Sequence, residues 1–253
     1  MDERDRSLLS TDQVLGLIGN ALNSRTPFSL IRVGDGENLC MSQASVLKHE
    51  EIMQERWAQL TIETRSKGVR LPDIGLRDAL IRAVKSADLV GIHPWNDKFI
   101  STYDRLKRPL AERVFKYHRI QPKLTCNASV TRVFPQNRMF WNMLTGRRVL
   151  LISQWATRLR PILTAKPYSL SVVDALPFDF YNKIPLVMAG ARKLRGQFDI
   201  ALVSCGVSAV ILAVDLATEL GCVAIDFGKA SQFMVEKKAG LNAPVSRFAP
   251  RSL

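Results

Sequence analysis

The sequence is poor in the groups that staple or metallate small proteins. Its four cysteines, Cys40, Cys126, Cys205 and Cys222, are far apart and form no CxxC pair. That spacing argues against a disulfide framework or a structural zinc site and for small buried thiols in a reducing cytoplasm. Its three histidines, His49, His93 and His118, show no HExxH or other metal spacing. The nucleophile elbow GxSxG, the phosphate loop GxxxxGK[ST] and the dinucleotide fingerprint GxGxxG are all missing. Residues 1–10 are polar and charged, without the apolar stretch of a secretory signal. The most apolar long segment, Ile200 to Ile225, is interrupted by Gly206, Asp215, Glu219 and Gly221, so it reads as buried core and not as a membrane span. Acid is the last scarcity. There are 23 Asp and Glu against 36 Lys and Arg, a formal net charge of +13. Such a surplus attracts anions: nucleic acid, an acidic membrane surface or phosphorylated substrates.

What is present is ordinary globular material. The chain has 253 residues, 47% hydrophobic and 23% charged, enough for a real core and too apolar for disorder. No repeat or linker of Pro, Gly and Ser stands out, so one domain over 1–253 is expected, with a basic tail from 229 to 253. Short apolar runs predict strands at 28–33, 89–92, 124–126, 149–152, 170–173, 199–204 and 222–226. Between them, helical periodicity predicts helices from Thr11, over 50–65, from Pro72-Asp73, and over 99–118, 137–145, 179–195 and 207–220. The basic stretch 40–72 reads as an excursion from the sheet. Strands that are continuous apolar runs, alternating with helices, indicate an α/β fold: a mostly parallel, Rossmann-like sheet with helices on both faces.

In such sheets ligands bind outside the carboxyl ends of the strands. Three loops are selected. In Arg32-Val33-Gly34-Asp35-Gly36-Glu37-Asn38, two carboxylates at i and i+2 stand on a glycine-bracketed turn. In a looped backbone they can point the same way and offer hard oxygens to Mg²⁺ or Mn²⁺; a solvated Asp-Gly turn has the same spacing. In the second, Gly206 precedes a helix and Asp226 ends the next strand. A ribose-binding acid has that separation, and so does a turn acid. Gly206 could also bring a helix N-terminus to a phosphate. The third, Asn127-Ala128-Ser129-Val130-Thr131-Arg132, could grip phosphate or sugar hydroxyls, or could be a capping segment with a surface arginine. After the strand at 89–92, His93 and Asp97 are candidate general bases and Trp95 could stack on a sugar or base, although a packed histidine and tryptophan explain the segment equally.

The segment Ser29-Leu30-Ile31-Arg32-Val33-Gly34-Asp35-Gly36-Glu37 resembles the RxGDGE motif of the bacterial GT-D fold glycosyltransferases. Phe198 to Gly206, Asp215-Leu216, and Gly221-Cys222-Val223-Ala224-Ile225-Asp226-Phe227-Gly228 are similar to that family's later segments, so the likeness spans most of 28–229. The resemblance implies a Rossmann-like fold and transfer of a sugar from a nucleotide donor, typically a UDP-sugar, to a glycan or glycoconjugate acceptor. It implies a divalent cation, usually Mn²⁺, held with the donor diphosphate at the DxE pair Asp35 and Glu37, and carries over Arg132. Together with the strand-end loops this makes the candidate catalytic set Asp35, Glu37 and Asp226, and the candidate substrate-binding set Arg32, Gly34, Gly36, Asn38, Asn127, Ser129, Arg132, Gly206 and Lys229. Metal-bound Asp35 is a poor base, which leaves Asp226, Asp97 and His93 for deprotonating an acceptor. Relatives often carry histidine where Lys229 stands, and a glycine-rich RxGxGND segment where this chain has Thr157-Arg158-Leu159-Arg160-Pro161, with only Arg158 comparable. The expected setting is cytoplasmic, with contact between the surplus charge and an anionic membrane face, and without nucleic acid. A Rossmann enzyme using NAD or S-adenosylmethionine and a basic nucleic-acid-binding module are the alternatives.

Overall fold

The computed structural model describes residues 2–64 and 67–241. Seven strands, β1 (Phe28–Val33), β2 (Leu89–Ile92), β3 (Thr125–Asn127), β4 (Arg148–Ser153), β5 (Ser171–Leu176), β6 (Ile200–Ser204) and β7 (Val223–Asp226), form one sheet in the order β3-β2-β1-β7-β6-β4-β5. Every pairing is parallel. Successive side chains of a strand point to opposite faces, and here both faces are covered. Ile31, Val33, Ile152 and Val203 face one core, while Leu30, Leu151, Leu202 and Ile225 face the other. A strand buried on both sides favours apolar residues at successive positions, which is why the strands appear as apolar runs; the polar exceptions in β1 are paired, Ser29 with Asp88 and Arg32 with Asp226.

Helices Asp35–Ser42, Ile74–Ser86, Arg108–His118, Ile184–Lys193 and Ser208–Leu220 cover the first face. Helices Thr11–Ser24, Arg138–Leu144, Ala156–Thr164 and Ala230–Val235 cover the second. Local chemistry sets several starts. Ser10 caps Thr11–Ser24 by a capping box, its Oγ accepting from Gln13 N at 3.3 Å while Gln13 Oε1 accepts from Ser10 N at 2.8 Å. Asp73 Oδ1 accepts from Leu76 N at 2.8 Å and caps Ile74–Ser86.

Some expectations are corrected. The basic helix over 99–118 begins only at Arg108, where Pro109 occupies its first turn; residues before it form a loop and one 3-10 turn, Asp104–Leu106. The helix over 50–65 is two short ones, His49–Met53 and Arg56–Glu63. The described residues of 40–72 add no strand to the sheet, as expected of an excursion, and they pack into the core through Ile52, Ala58, Val69 and Leu71. The tail from 229 opens with Ala230–Val235, which buries Ala230, Phe233 and Met234; its portion from 242 lies outside the described residues.

The chain leaves β1 toward the first face and β7 toward the second. Adjacent strands whose exits diverge leave a crevice at their carboxyl ends, the usual place for a ligand in a parallel sheet.

Candidate active site

A cleft of about 500 Å³ opens at that crevice, lined from the ends of β1, β2, β3, β4, β6 and β7. Gly34, Asp35 and Glu37 enter it after β1, His93 after β2, and Ser129 and Arg132 after β3. Trp155 enters after β4, Gly206 after β6 and Lys229 after β7.

The corner between β1 and β7 is a closed network. Asp226 is fully buried and accepts from Arg32 Nε at 3.1 Å, from the Arg32 guanidinium again at 3.1 Å, and from Gly228 N at 3.0 Å. Burial pushes the Asp226 carboxyl up, opposed by Arg32. Burial also works against the Arg32 charge, but Asp226 and Glu37 outweigh it and leave Arg32 above its ordinary value. Gly228 makes this possible: at φ +58° it has no Cβ, and a Cβ there would come within 2.6 Å of the Arg32 guanidinium.

Asp35 and Glu37 are not on a loop. Gly34 is the N-cap of Asp35–Ser42, and Glu37 Oε2 turns back to accept from Gly34 N at 2.9 Å. That is the reciprocal half of a capping box. Two residues apart on a helix do not face each other, so the i, i+2 argument for a shared orientation does not hold. Burial raises the Glu37 carboxyl to about 7, opposed by Arg32 and reinforced by Asp226 and Asp35. Gly36 lies under the Trp57 indole, where a Cβ would sit 2.5 Å from the ring.

Beside this corner the cleft is cationic. Arg132, Lys229 and Lys67 line it, and none has an ion-pair partner among the described residues. Burial lowers Arg132 to about 10, helped by the like charge of Arg32. Lys229, exposed at the rim, is also lowered by surrounding protein and by the charges of Arg132 and Lys67. Ser129 Oγ is buried there with no hydrogen-bond partner.

With this geometry in view, the family profile of the GT-D fold-like domain matches residues 9–234. The chain belongs to the GT-D fold-like family. Solved structures share its fold at low identity. A glycosyltransferase from Streptococcus sanguinis, containing the domain of unknown function 1792, is 16% identical with a TM-score of 0.57 over 90% of this chain and 84% of that one. A selenomethionine-substituted domain of unknown function 1792 is 16% identical with a TM-score of 0.56, covering 94% and 84%. A third, described as a domain of unknown function 1792 with a distinct glycosyltransferase fold, is 16% identical with a TM-score of 0.55 over 94% and 84%. No curated protein matches the chain.

Against this GT-D frame, Arg32, Gly34, Asp35, Gly36, Glu37, Ser129, Arg132, Gly206 and Lys229 all line one cleft. Three other expected site residues do not line it. Asp226 lies beneath Arg32 with both oxygens engaged, so it holds the arginine in place and is not free to hold a ribose or take a proton. Asn38 is buried and clamps the 104–107 turn, its Nδ2 donating to Leu106 O at 2.9 Å and Lys107 O at 3.0 Å. Asn127 shapes its own turn by accepting from Ser129 N at 2.8 Å. Lys67, Trp57, Trp155 and Phe178 line the cleft without having been singled out. Only Trp155 carried a usable signal, standing two residues after a strand. Arg158 lies over the Trp155 ring at 5.2 Å.

No cluster of three or more His, Cys, Asp or Glu able to hold a metal occurs among the described residues. Mg²⁺ and Mn²⁺, however, can be held by one or two carboxylates when phosphates supply other oxygens. Asp35 fits that role: its carboxylate is on the cleft wall and accepts no hydrogen bond among the described residues. Glu37 offers only the oxygen not taken by Gly34 N–H.

Proposed function

We propose that the chain is a glycosyltransferase that moves a sugar from a UDP-sugar to a hydroxyl of a glycan or glycoconjugate. The observation that carries this is the unpaired cationic wall, Lys67, Arg132 and Lys229, in the crevice of a GT-D fold. Like charges held together without counter-ions stabilise an incoming polyanion, and a nucleoside diphosphate is such a polyanion. The growing charge on the leaving diphosphate is the quantity such a site must stabilise. Arg132 and Lys229 act on it directly, and Arg32 is held at the same corner by Asp226. A divalent cation on Asp35, when bound, adds Lewis-acid stabilisation of the same oxygens.

The test is the melting temperature with UDP, with and without Mn²⁺, followed by UDP release from a panel of UDP-sugars. UDP is expected to raise the melting temperature, Asp35→Ala to remove the Mn²⁺-dependent part, and one donor to be turned over. No shift with UDP under either condition, together with no turnover across the panel, overturns the assignment.

The remaining positive charge suits an anionic acceptor or a membrane face bearing lipid-linked glycans. No helix among the described residues is long and apolar enough to cross a membrane, so such contact would be peripheral. Co-sedimentation with anionic vesicles at low salt is the expected outcome; its absence removes the membrane contact and leaves the transfer reaction standing.

A further inference from the structure

One corner of the cleft holds an aligned pair of side chains with a free end. His93 follows β2 and is 4% exposed. Its Nδ1 lies 3.0 Å from Asp97 Oδ2. Asp97 is fixed in turn, since its Oδ1 accepts from Phe99 N at 2.9 Å and its backbone oxygen accepts from Lys107 Nζ at 2.6 Å. Burial favours a neutral Asp97, but His93, the Phe99 N–H and Lys107 together hold its carboxyl below the usual range. An anionic Asp97 accepts a hydrogen bond from Nδ1–H and fixes the tautomer in which Nε2 carries a lone pair. That Nε2 is buried with no hydrogen-bond partner. Leaving such an atom unpaired costs about 1–3 kcal/mol, so a role in packing alone gives no reason for it. The residue also lines the cleft. Its free nitrogen shares a corner with the Asp35–Ser42 helix start: a Cβ built on Gly34 would be 3.9 Å from His93 Nε2 and 2.9 Å from Glu37 Oε2.

The acids near the cleft are otherwise committed. Asp226 is saturated by Arg32 and Gly228, and Glu37 is bound to Gly34 N–H. Asp179 pairs with Lys183 at 2.8 Å, and Asp35 is the donor that fits a cation.

We propose that His93 is the general base of the transfer and that Asp97 is the positioning residue behind it; this rests on the glycosyltransferase assignment above. The acceptor hydroxyl gives its proton to His93 Nε2 while its oxygen forms the new bond to the anomeric carbon. The bond from that carbon to the β-phosphate oxygen breaks, and its electron pair leaves with the diphosphate. Asp97 stabilises the imidazolium that results, and the proton passes to water after the products depart. Attack with base assistance on the side opposite the leaving group is a single displacement, so the product has the inverted anomeric configuration.

The experiment uses the full chain and the UDP-sugar that the panel identifies. His93→Gln is expected to lower kcat about 100-fold or more with KM for the donor within about twofold, and to keep the UDP-induced rise in melting temperature. Asp97→Asn keeps an oxygen for the Phe99 N–H and is expected to show the same split. Nitrogen-15 side-chain spectra of the wild type are expected to show a protonated Nδ1 and a bare Nε2 at pH 7.5, and the product anomer is expected to be inverted. Three results each overturn the inference while leaving the glycosyltransferase assignment intact: kcat of His93→Gln within threefold of wild type, a proton resident on Nε2 in the neutral ring, or a retained anomer. A wild type that binds no UDP and turns over no UDP-sugar removes both, and is told apart by failing before any variant is made.

Discussion

Two regions of the cleft differ in how far their polar atoms are satisfied. At the β1–β7 corner, Asp226 is bonded to Arg32 and to Gly228 N–H, and Glu37 is bonded to Gly34 N–H. Beside it in the same cleft, Arg132, Lys229 and Lys67 have no counter-ions among the described residues, and Ser129 Oγ and His93 Nε2 have no partners. Buried polar groups are ordinarily paired. A saturated network is what a framework needs, while unsaturated atoms facing a cavity are what a ligand can complete. Two expected site residues, Asp226 and Asn127, engage their side-chain oxygens in such contacts, and Asn38, bonded through Nδ2 with Oδ1 buried and unpartnered, lies outside the cleft lining. They position neighbours and present nothing to a ligand.

The largest test breaks the framework. Asp226→Ala leaves Arg32 charged and half-enclosed without its partner. Removing one member of a buried ion pair typically costs about 3–5 kcal/mol, and in a chain of this size each kcal/mol is worth roughly 2–4 °C. A fall in melting temperature of about 10 °C is expected without ligand. A fall of only a degree or two would show that the pair is not structural and would reopen Asp226 as a chemical group.

Gly228→Ala is next. The added Cβ would sit within 2.6 Å of the Arg32 guanidinium at a residue with φ +58°, combining left-handed strain with overpacking. Each costs about 1–3 kcal/mol. Denaturant melts of Gly228→Ala and of Gly146→Ala, where φ is +75° and nothing lies within 4 Å of the Cβ, separate the two contributions. Equal losses would mean that Arg32 does not require the glycine.

These networks explain what was legible in the sequence. Strands β1, β2, β6 and β7 are visible as apolar runs because both faces of the sheet are covered, so nothing in them alternates. The Asp35–Ser42 helix was hidden because Gly34-Asp35-Gly36 imitates a turn. Its signal was Glu37, three residues after the N-cap and able to reach back to it. The start of Arg108–His118 was marked by Pro109 in its first turn, yet the basic residues upstream suggested a longer helix. Lys67 and Trp57 were beyond reach, because only the three-dimensional fold brings these two residues into the cleft with Gly34 and Asp35. The fates of Asp226 and Asn38 were equally hidden: an acid at the end of a strand looks the same whether it meets a ribose or an arginine.

The open wall is tested by binding. Arg132→Ala and Lys229→Ala each remove a charged partner of the diphosphate. Each is expected to weaken UDP by about tenfold, the effect of roughly 1.4 kcal/mol, as measured by calorimetry. Because burial and then the charge of Arg132 lower the Lys229 pKa, while burial and Arg32 lower that of Arg132, the loss of either cation relieves repulsion and leaves the ligand-free melting temperature unchanged or slightly higher. That outcome is opposite in sign to Asp226→Ala. A variant that loses stability together with affinity would place its residue in the framework instead.

The smallest effect is a pH slope at the border between the two regions. The Glu37 carboxyl is raised by burial from its usual 4.5 to about 7. In this window the folded state binds more proton than the unfolded chain, so its stability falls as pH rises. The contribution of Glu37 is fully present below about 4.5 and is lost as pH passes through about 7. Glu37→Gln keeps an oxygen to accept from Gly34 N–H but cannot ionise. Its unfolding free energy should therefore change less between pH 5 and 8 than that of the wild type, with the two proteins diverging toward pH 8 in favour of the variant. UDP should reverse this if a cation on Asp35 accompanies it, since nearby positive charge favours the ionised Glu37. Parallel pH profiles for the two proteins, with and without UDP and Mn²⁺, would place the Glu37 carboxylate in water and assign it to the open side of the cleft.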